Sequence, residues 1–205
     1  MGAGFAGIIL VAANPVDLIA RVAFRVAGLP AARVIGTGTL LDSSRLRQSL
    51  AAKLDVAPAS VAALVLGEHG DGEVAAFSTI RVGGDTLRHF SHPAKQPDVS
   101  GGAAGVRDAG YRIVTGKGYS SFGVAPAIVR ICEAIIGNER AVLPVPTFLT
   151  GQLGISDVNL SLPRIFGTGG IERILVPDLT ANEKGALRQS GDVVRDAMSS
   201  IDGND

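Results

Sequence analysis

Net charge, cysteine and long apolar runs are all scarce in this sequence. Nineteen Lys and Arg residues balance nineteen Asp and Glu, so no overall field draws the chain to nucleic acid or to an anionic membrane. The basic residues are scattered and not interleaved with aromatics, so a nucleic-acid surface is not expected. The single cysteine, Cys132, excludes an intrachain disulfide and fits a reducing compartment. Lying in an apolar helical run, it reads as a buried structural thiol. No stretch reaches the roughly 20 apolar residues that a spanning helix needs. The short apolar run Ile8 to Ala13 has no basic segment before it, so no export signal is expected. What remains is a globular, cytoplasmic protein with a small-molecule partner. With 205 residues, 46% of them hydrophobic, the chain can bury a real core and falls between one domain and two.

Ile8 to Ala13 is a continuous run rich in branched residues, the pattern of a strand buried on both faces of a parallel sheet. Asn14-Pro15 ends it, and a helix is expected from about Val16 to Ala27, stopped by Gly28-Leu29-Pro30. Arg33 to Gly36 reads as a second strand, followed by a Gly36-Thr37-Gly38 turn and an amphipathic helix from Asp42 to about Leu54. Strand, helix, strand, helix is the rhythm of a doubly wound α/β sheet. After Pro58 the pattern changes. Val61 to Leu66 and Glu73 to Val82 read as extended segments, with a tight turn at Gly83-Gly84. Further on, helices are expected near 101–115, 123–136 and 181–200, and strands near 141–145, 158–166 and 171–175. The polar, Pro/Gly-rich segment 91–105 is the best candidate for a mobile loop.

Gly2-Ala3-Gly4-Phe5-Ala6-Gly7 spells G-x-G-x-x-G, but its setting is wrong for a dinucleotide. That turn works between a strand and a following helix, because the pyrophosphate rests on the helix N-terminal amides. Here a strand follows the glycines and only Met1 precedes them, so they read as a loop entering the strand. His89-x-x-His92 likewise reads as two solvated loop histidines, with no Cys or acidic partner nearby to complete a metal site.

Asp42, Arg45 and His69 stand out because each lies beside glycines or at an element end. Asp42 and Arg45 are three apart and share one face of a helix start, where an arginine fork suits a carboxylate. His69 lies in Gly67-Glu68-His69-Gly70-Asp71, whose glycines allow close approach to a ring that titrates near neutrality. On these residues alone, other roles stay open. Asp42 could be an N-cap, Arg45 a surface cation, and His69 an ordinary turn residue.

Four motifs change that balance: Asn14-Pro15-Val16-Asp17, Val34-Ile35-Gly36-Thr37-Gly38, Leu41-Asp42-Ser43-Ser44-Arg45 and Leu66-Gly67-Glu68-His69-Gly70-Asp71. In order and spacing they resemble the L-lactate dehydrogenase family. The likeness continues through Lys117-Gly118-Tyr119-Ser120 and Leu143-Pro144-Val145. Malate dehydrogenases share much of this but usually carry glycine where Glu68 stands, which favours the lactate branch.

The resemblance implies an α/β fold: the C-terminal part of a Rossmann sheet over residues 1–40, then an α+β substrate domain over 41–205. It also implies NAD-dependent interconversion of pyruvate and L-lactate, with malate or another 2-hydroxy acid as the alternative. By this likeness His69 is the acid-base group and Asp42 orients it, while Arg45 binds the substrate carboxylate. Asn14 contacts substrate and nicotinamide, and Ser120 stands at a pocket position usually held by threonine. Ala12, Ala13 and Thr37 line the nicotinamide end. Arg47 matches one residue of a fructose 1,6-bisphosphate site, but Ala62 stands where its histidine should be, so little or no activation is expected. A homo-oligomer is expected, and no metal. The family's first strand, glycine fingerprint, ribose-binding acid and mobile arginine loop are not found. Two explanations are open: a truncated reading of a full enzyme, or a short chain that has lost activity and serves in assembly. Intact Asp42, Arg45 and His69 favour the first.

Overall fold

A computed structural model describes residues 4–90 and 121–202 of the chain. The fold is α/β, with a short parallel pair of strands followed by antiparallel sheets. Strand β1 (Ile9–Val11) runs parallel to β2 (Val34–Gly36), with helix α1 (Val16–Ala27) between them. The helix begins after a cis Asn14–Pro15 peptide and ends at Gly28, whose φ of 65° is the left-handed conformation that stops helices. Both ends agree with the sequence reading. Arg33 does not join β2 but closes a 3-10 turn, Ala31–Arg33, after Pro30.

Helix α2 (Leu40–Leu54) starts two residues earlier than the sequence suggests. Its N-cap is Thr39 and Asp42 is its third residue, so Asp42 is not the cap. The extended segment expected at 61–66 divides into β3 (Val61–Ala62) and β4 (Val65–Gly67). The one at 73–82 divides into β5 (Glu73–Ala75) and β6 (Arg81–Val82), separated by a 3-10 turn at Phe77–Thr79. The cause is a change of sheet: β3 pairs with β6, whereas β4 pairs with β5. Gly83 and Gly84, with φ of 59° and 92°, turn β6 into β7 (Asp85–Thr86), as the sequence predicts. A one-turn helix, α3 (Leu87–Phe90), follows.

Helix α4 (Ser121–Ile136), β8 (Val142–Thr150), β9 (Ser156–Gly167), β10 (Gly170–Ile174) and α5 (Ala181–Asp202) complete the described chain. Strand β8 extends five residues beyond the expected 141–145, because Pro146 to Thr150 keep pairing with β9. The helix expected at 101–115 and the loop at 91–105 lie outside the described residues.

Strand β9 is the spine of the sheet, pairing with β8, β10 and β4. Helices cover it at both ends. Leu160 and Leu162 pack with Leu187 and Val194 of α5, and Phe166 packs with Ala127 and Ile131 of α4. Leu46 and Leu50 of α2 pack on Val61, Val65 and Val82. Strand β4 therefore lies where these clusters meet, and the turn that follows it emerges between α1, α2 and α5. Among the described residues no helix is long and apolar enough to cross a membrane. Cys132 is half-buried in an apolar groove on α4, which corrects the expectation of full burial.

Candidate active site

His69 follows β4 in a turn that three side chains hold from different directions. Ser190 of α5 accepts the Glu68 N–H at 2.8 Å, and Asp17 of α1 accepts the His69 N–H at 2.8 Å. The Glu68 carboxylate accepts the Gly72 N–H at 3.1 Å and closes the turn. Glycine is required at position 67. Its φ is 88°, and a Cβ there would lie 2.6 Å from Ser190 Oγ.

From α2, Asp42 reaches His69 with Oδ2 2.6 Å from Nδ1. A carboxylate only accepts, so Nδ1 carries the proton and Nε2 is the nitrogen left for chemistry. The other oxygen of Asp42 lies 3.5 Å from Arg45 Nη1. The Asp42 side chain is 4% exposed, that of Arg45 15% and that of His69 25%, so the imidazole is the most open member of the trio. Burial alone would lower the His69 pKa. The hydrogen bond and charge of Asp42, helped by Asp17 and Glu73, outweigh it and raise the pKa above the ordinary 6.5. The imidazolium therefore persists to higher pH than that of an ordinary histidine.

Arg45 borders a groove of about 740 Å³ between α2 and α4, which Arg47, Gln48, Arg130 and Leu143 also line. Arg47 donates to Ser44 Oγ at 2.8 Å. Ala62 is exposed on β3. His89 has an acidic neighbour after all, since Asp85 Oδ1 lies 3.3 Å from its Nδ1. His92 and Ser120 lie outside the described residues.

Ala12, Ala13 and Asn14 are exposed just past the C-terminal end of β1. Thr37 follows β2 alongside them, its N–H donating to Val11 O at 2.9 Å. The carboxyl ends of parallel strands are where open α/β sheets place ligands. Asn14 stands three residues before Asp17, which binds the His69 turn, so this edge and the imidazole belong to one region. Among the described residues these positions lie at the open strand ends, and no cradle for a dinucleotide pyrophosphate is found beside them. Residues 4–8 form neither helix nor strand and lead into β1. The glycines of the β2–α2 turn are filled by the protein itself: a Cβ at Gly36 would meet Pro146 at 2.6 Å, and one at Gly38 would meet Pro146 and Ser161.

Asp17 and Ser190 are the members of this site that sequence reasoning missed. Asp17 stood within a quoted motif, but nothing local shows that its carboxylate is spent on residue 69.

Residues 39–202 match the family described as lactate/malate dehydrogenase, alpha/beta C-terminal domain. The chain is 42% identical over 198 residues to the L-lactate dehydrogenase of Priestia megaterium, covering 95% of this chain and 62% of that protein. It is 43% identical to that of Thermus aquaticus, covering 95% and 64%. Among solved structures, a lactate dehydrogenase, MGS-M5, from a Medee basin deep-sea metagenome library superposes with a TM-score of 0.94 at 34% identity, covering 98% and 66%. The ligands-bound minor L-lactate dehydrogenase of Enterococcus mundtii gives 0.92 at 38%, covering 97% and 64%. The chain thus spans a little under two thirds of the length of the relatives it matches.

Proposed function

The chain belongs to the lactate/malate dehydrogenase family, and from that premise we propose that it carries the proton-transfer and carboxylate-binding half of an L-lactate dehydrogenase site, for NAD-dependent interconversion of pyruvate and L-lactate. The observation that supports this most directly is the 2.6 Å contact between His69 Nδ1 and Asp42 Oδ2, with Arg45 on the same helix face.

In pyruvate reduction His69 gives the Nε2 proton to the ketone oxygen, and in the reverse direction it takes the lactate hydroxyl proton. Asp42 holds the ring with Nε2 outward and stabilises the imidazolium, so the acid is charged before transfer. Arg45 grips the substrate carboxylate through two N–H groups, fixing which face of the ketone is presented. Asn14 adds a polar contact to substrate and nicotinamide, and Ser120 is assigned to the substrate pocket by the family likeness alone. Ala12, Ala13 and Thr37 would line the nicotinamide end, where NAD, when bound, supplies or accepts the hydride. Glu68 before His69 supports lactate over malate as substrate. Val129 and Ile136, 53% and 83% exposed on α4, support self-association.

The purified chain, mixed with pyruvate and NADH, should show slow loss of the reduced-nicotinamide absorbance that a His69→Asn chain does not. No difference between the two chains, together with no calorimetric binding of oxamate by the parent, would sink this reading.

A further inference from the structure

Strand β4 leads into the turn that carries His69, and its edge toward β9 is only partly paired. Gly67 sits opposite Ser161 of β9. Continued two residues back, that antiparallel register would set Val65 opposite Pro163, which has no N–H to give. The β9 edge is already taken there: Pro163 O accepts the Leu175 N–H at 2.8 Å. Val65, 1% exposed, stands opposite Ala75 of β5 on one side, but on the β9 side its N–H and C=O meet no strand and need other partners.

The first turn of α2 supplies them. Ser43 Oγ accepts the Val65 N–H at 2.9 Å, and Thr39 Oγ1 donates to Val65 O at 2.6 Å. Thr39 N in turn donates to Ser161 Oγ at 3.3 Å, tying the same helix start to β9. Ser43 and Thr39 are both fully buried, so water cannot replace either hydroxyl. Ser43 is the immediate neighbour of Asp42, and Val65 stands four residues before His69. The clamp therefore joins the two segments that bring Oδ2 and Nδ1 to 2.6 Å.

We propose that Ser43, with Thr39 beside it, is a positioning residue for the Asp42–His69 pair: its hydroxyl replaces the strand partner missing on the β9 side of Val65 and holds the first turn of α2 in register with the strand that leads into the His69 turn. This rests on the reading of that pair as the proton relay. The hydroxyl touches neither substrate nor cofactor and acts only through Asp42.

The test is a titration of His69 followed by nuclear magnetic resonance in chain labelled with ¹⁵N-histidine, the signal being assigned with His69→Gln. In Ser43→Ala the midpoint of His69 should move down, because Asp42 is no longer held against Nδ1, and its Nδ1–H signal should weaken. Ser43→Thr, which keeps the hydroxyl, should restore both. The His89 resonance, from a residue paired with Asp85 away from the clamp, should be the same in every chain. If Ser43→Ala does not fold, the nearly isosteric Thr39→Val removes one arm of the same clamp and should move the midpoint in the same direction. A folded Ser43→Ala chain, or failing that a Thr39→Val chain, whose His69 titrates like the parent's overturns the proposal. Since the readout is a resonance and not turnover, absent pyruvate reduction would count against the dehydrogenase reading alone. An unmoved resonance in a chain that reduces pyruvate would count against the clamp alone.

Discussion

Asp17 Oδ2 accepts the backbone N–H of His69 at 2.8 Å, so the first turn of α1 is fastened to the turn that presents the imidazole. The other carboxylate oxygen, Oδ1, is buried without a partner. Burial, partly opposed by the His69 N–H and by the His69 charge, raises the Asp17 pKa to about 7. The group beneath the candidate acid-base residue therefore changes charge near neutrality.

That shift sets a pH dependence of stability with a definite sign. Unfolded Asp17 titrates near 3.8 and folded Asp17 near 7, so between those values the folded chain binds the extra proton. Stability should fall as pH rises through that window, by on the order of 4 kcal/mol from this group, and then level off. The raised pKa of His69 works in the same direction: its contribution is full below about 6.5 and is lost as pH rises through the folded value. Asp17→Asn cannot ionise, and it places an amide N–H₂ at the unpartnered position, at a cost of about 1–3 kcal/mol. Urea midpoints at about pH 5 and about pH 8 should fall more between the two for the parent than for Asp17→Asn. Equal falls would remove Asp17 as the source.

Arg45 offers a test of substrate binding separate from proton transfer. A lysine keeps the charge but loses the planar fork, so Arg45→Lys should weaken oxamate binding about 10- to 100-fold by calorimetry, without altering the midpoint of the His69 titration. Unchanged affinity would place the carboxylate elsewhere in the α2–α4 groove.

The helix bounds of α1 could be read because both stop signals are local: Pro15 before it and Gly28-Leu29-Pro30 after it. The start of α2 was misjudged for a physical reason, since an aspartate near a helix start resembles a cap. Thr39 holds that place with its hydroxyl on Val65 O, which frees Asp42 for His69. The breaks at 63–64 and 76–80 were hidden because an apolar run does not show that its two ends join different sheets. Asp42, Arg45 and His69 stand out through nearby glycines and helix spacing, but those features left their roles open, and only the likeness of the motifs that contain them to a known family assigned the roles. Their supports could not be named, because Asp17 and Ser190 act across 52 and 122 residues of chain. No periodicity records such contacts.

Fructose 1,6-bisphosphate should not activate the chain. Arg47 is spent on Ser44 Oγ, and burial lowers its pKa below the ordinary arginine value. Ala62 brings no side-chain charge. Arg81, its partner across β3–β6, gives its guanidinium to the carbonyls of Ser78 and Ile80. The pyruvate concentration for half-maximal rate should be the same with and without the sugar bisphosphate, and a severalfold fall would show a site these residues do not predict.

The start of α5 carries the last prediction, because that helix brings Ser190 to the His69 turn. Glu183 accepts four hydrogen bonds: from Ser78 N at 3.0 Å, Ser78 Oγ at 2.6 Å, Thr180 N at 2.8 Å and Thr180 Oγ1 at 2.8 Å. Thr180-x-x-Glu183 is thus a capping box that also ties the helix to the turn at Phe77–Thr79. Partial burial works to raise the Glu183 pKa, but these donors overcome it and hold it below the usual 4.5. Its contribution is therefore present above about pH 4.5 and is lost as pH falls through the folded value. Glu183→Ala should lower the melting temperature at neutral pH by about 2–4 °C, corresponding to about 1 kcal/mol. In acid, where the parent carboxylate is itself protonated, the two chains should melt closer together. A gap that stays constant from neutral pH into acid would mean that the side chain contributes by packing and not by its charge.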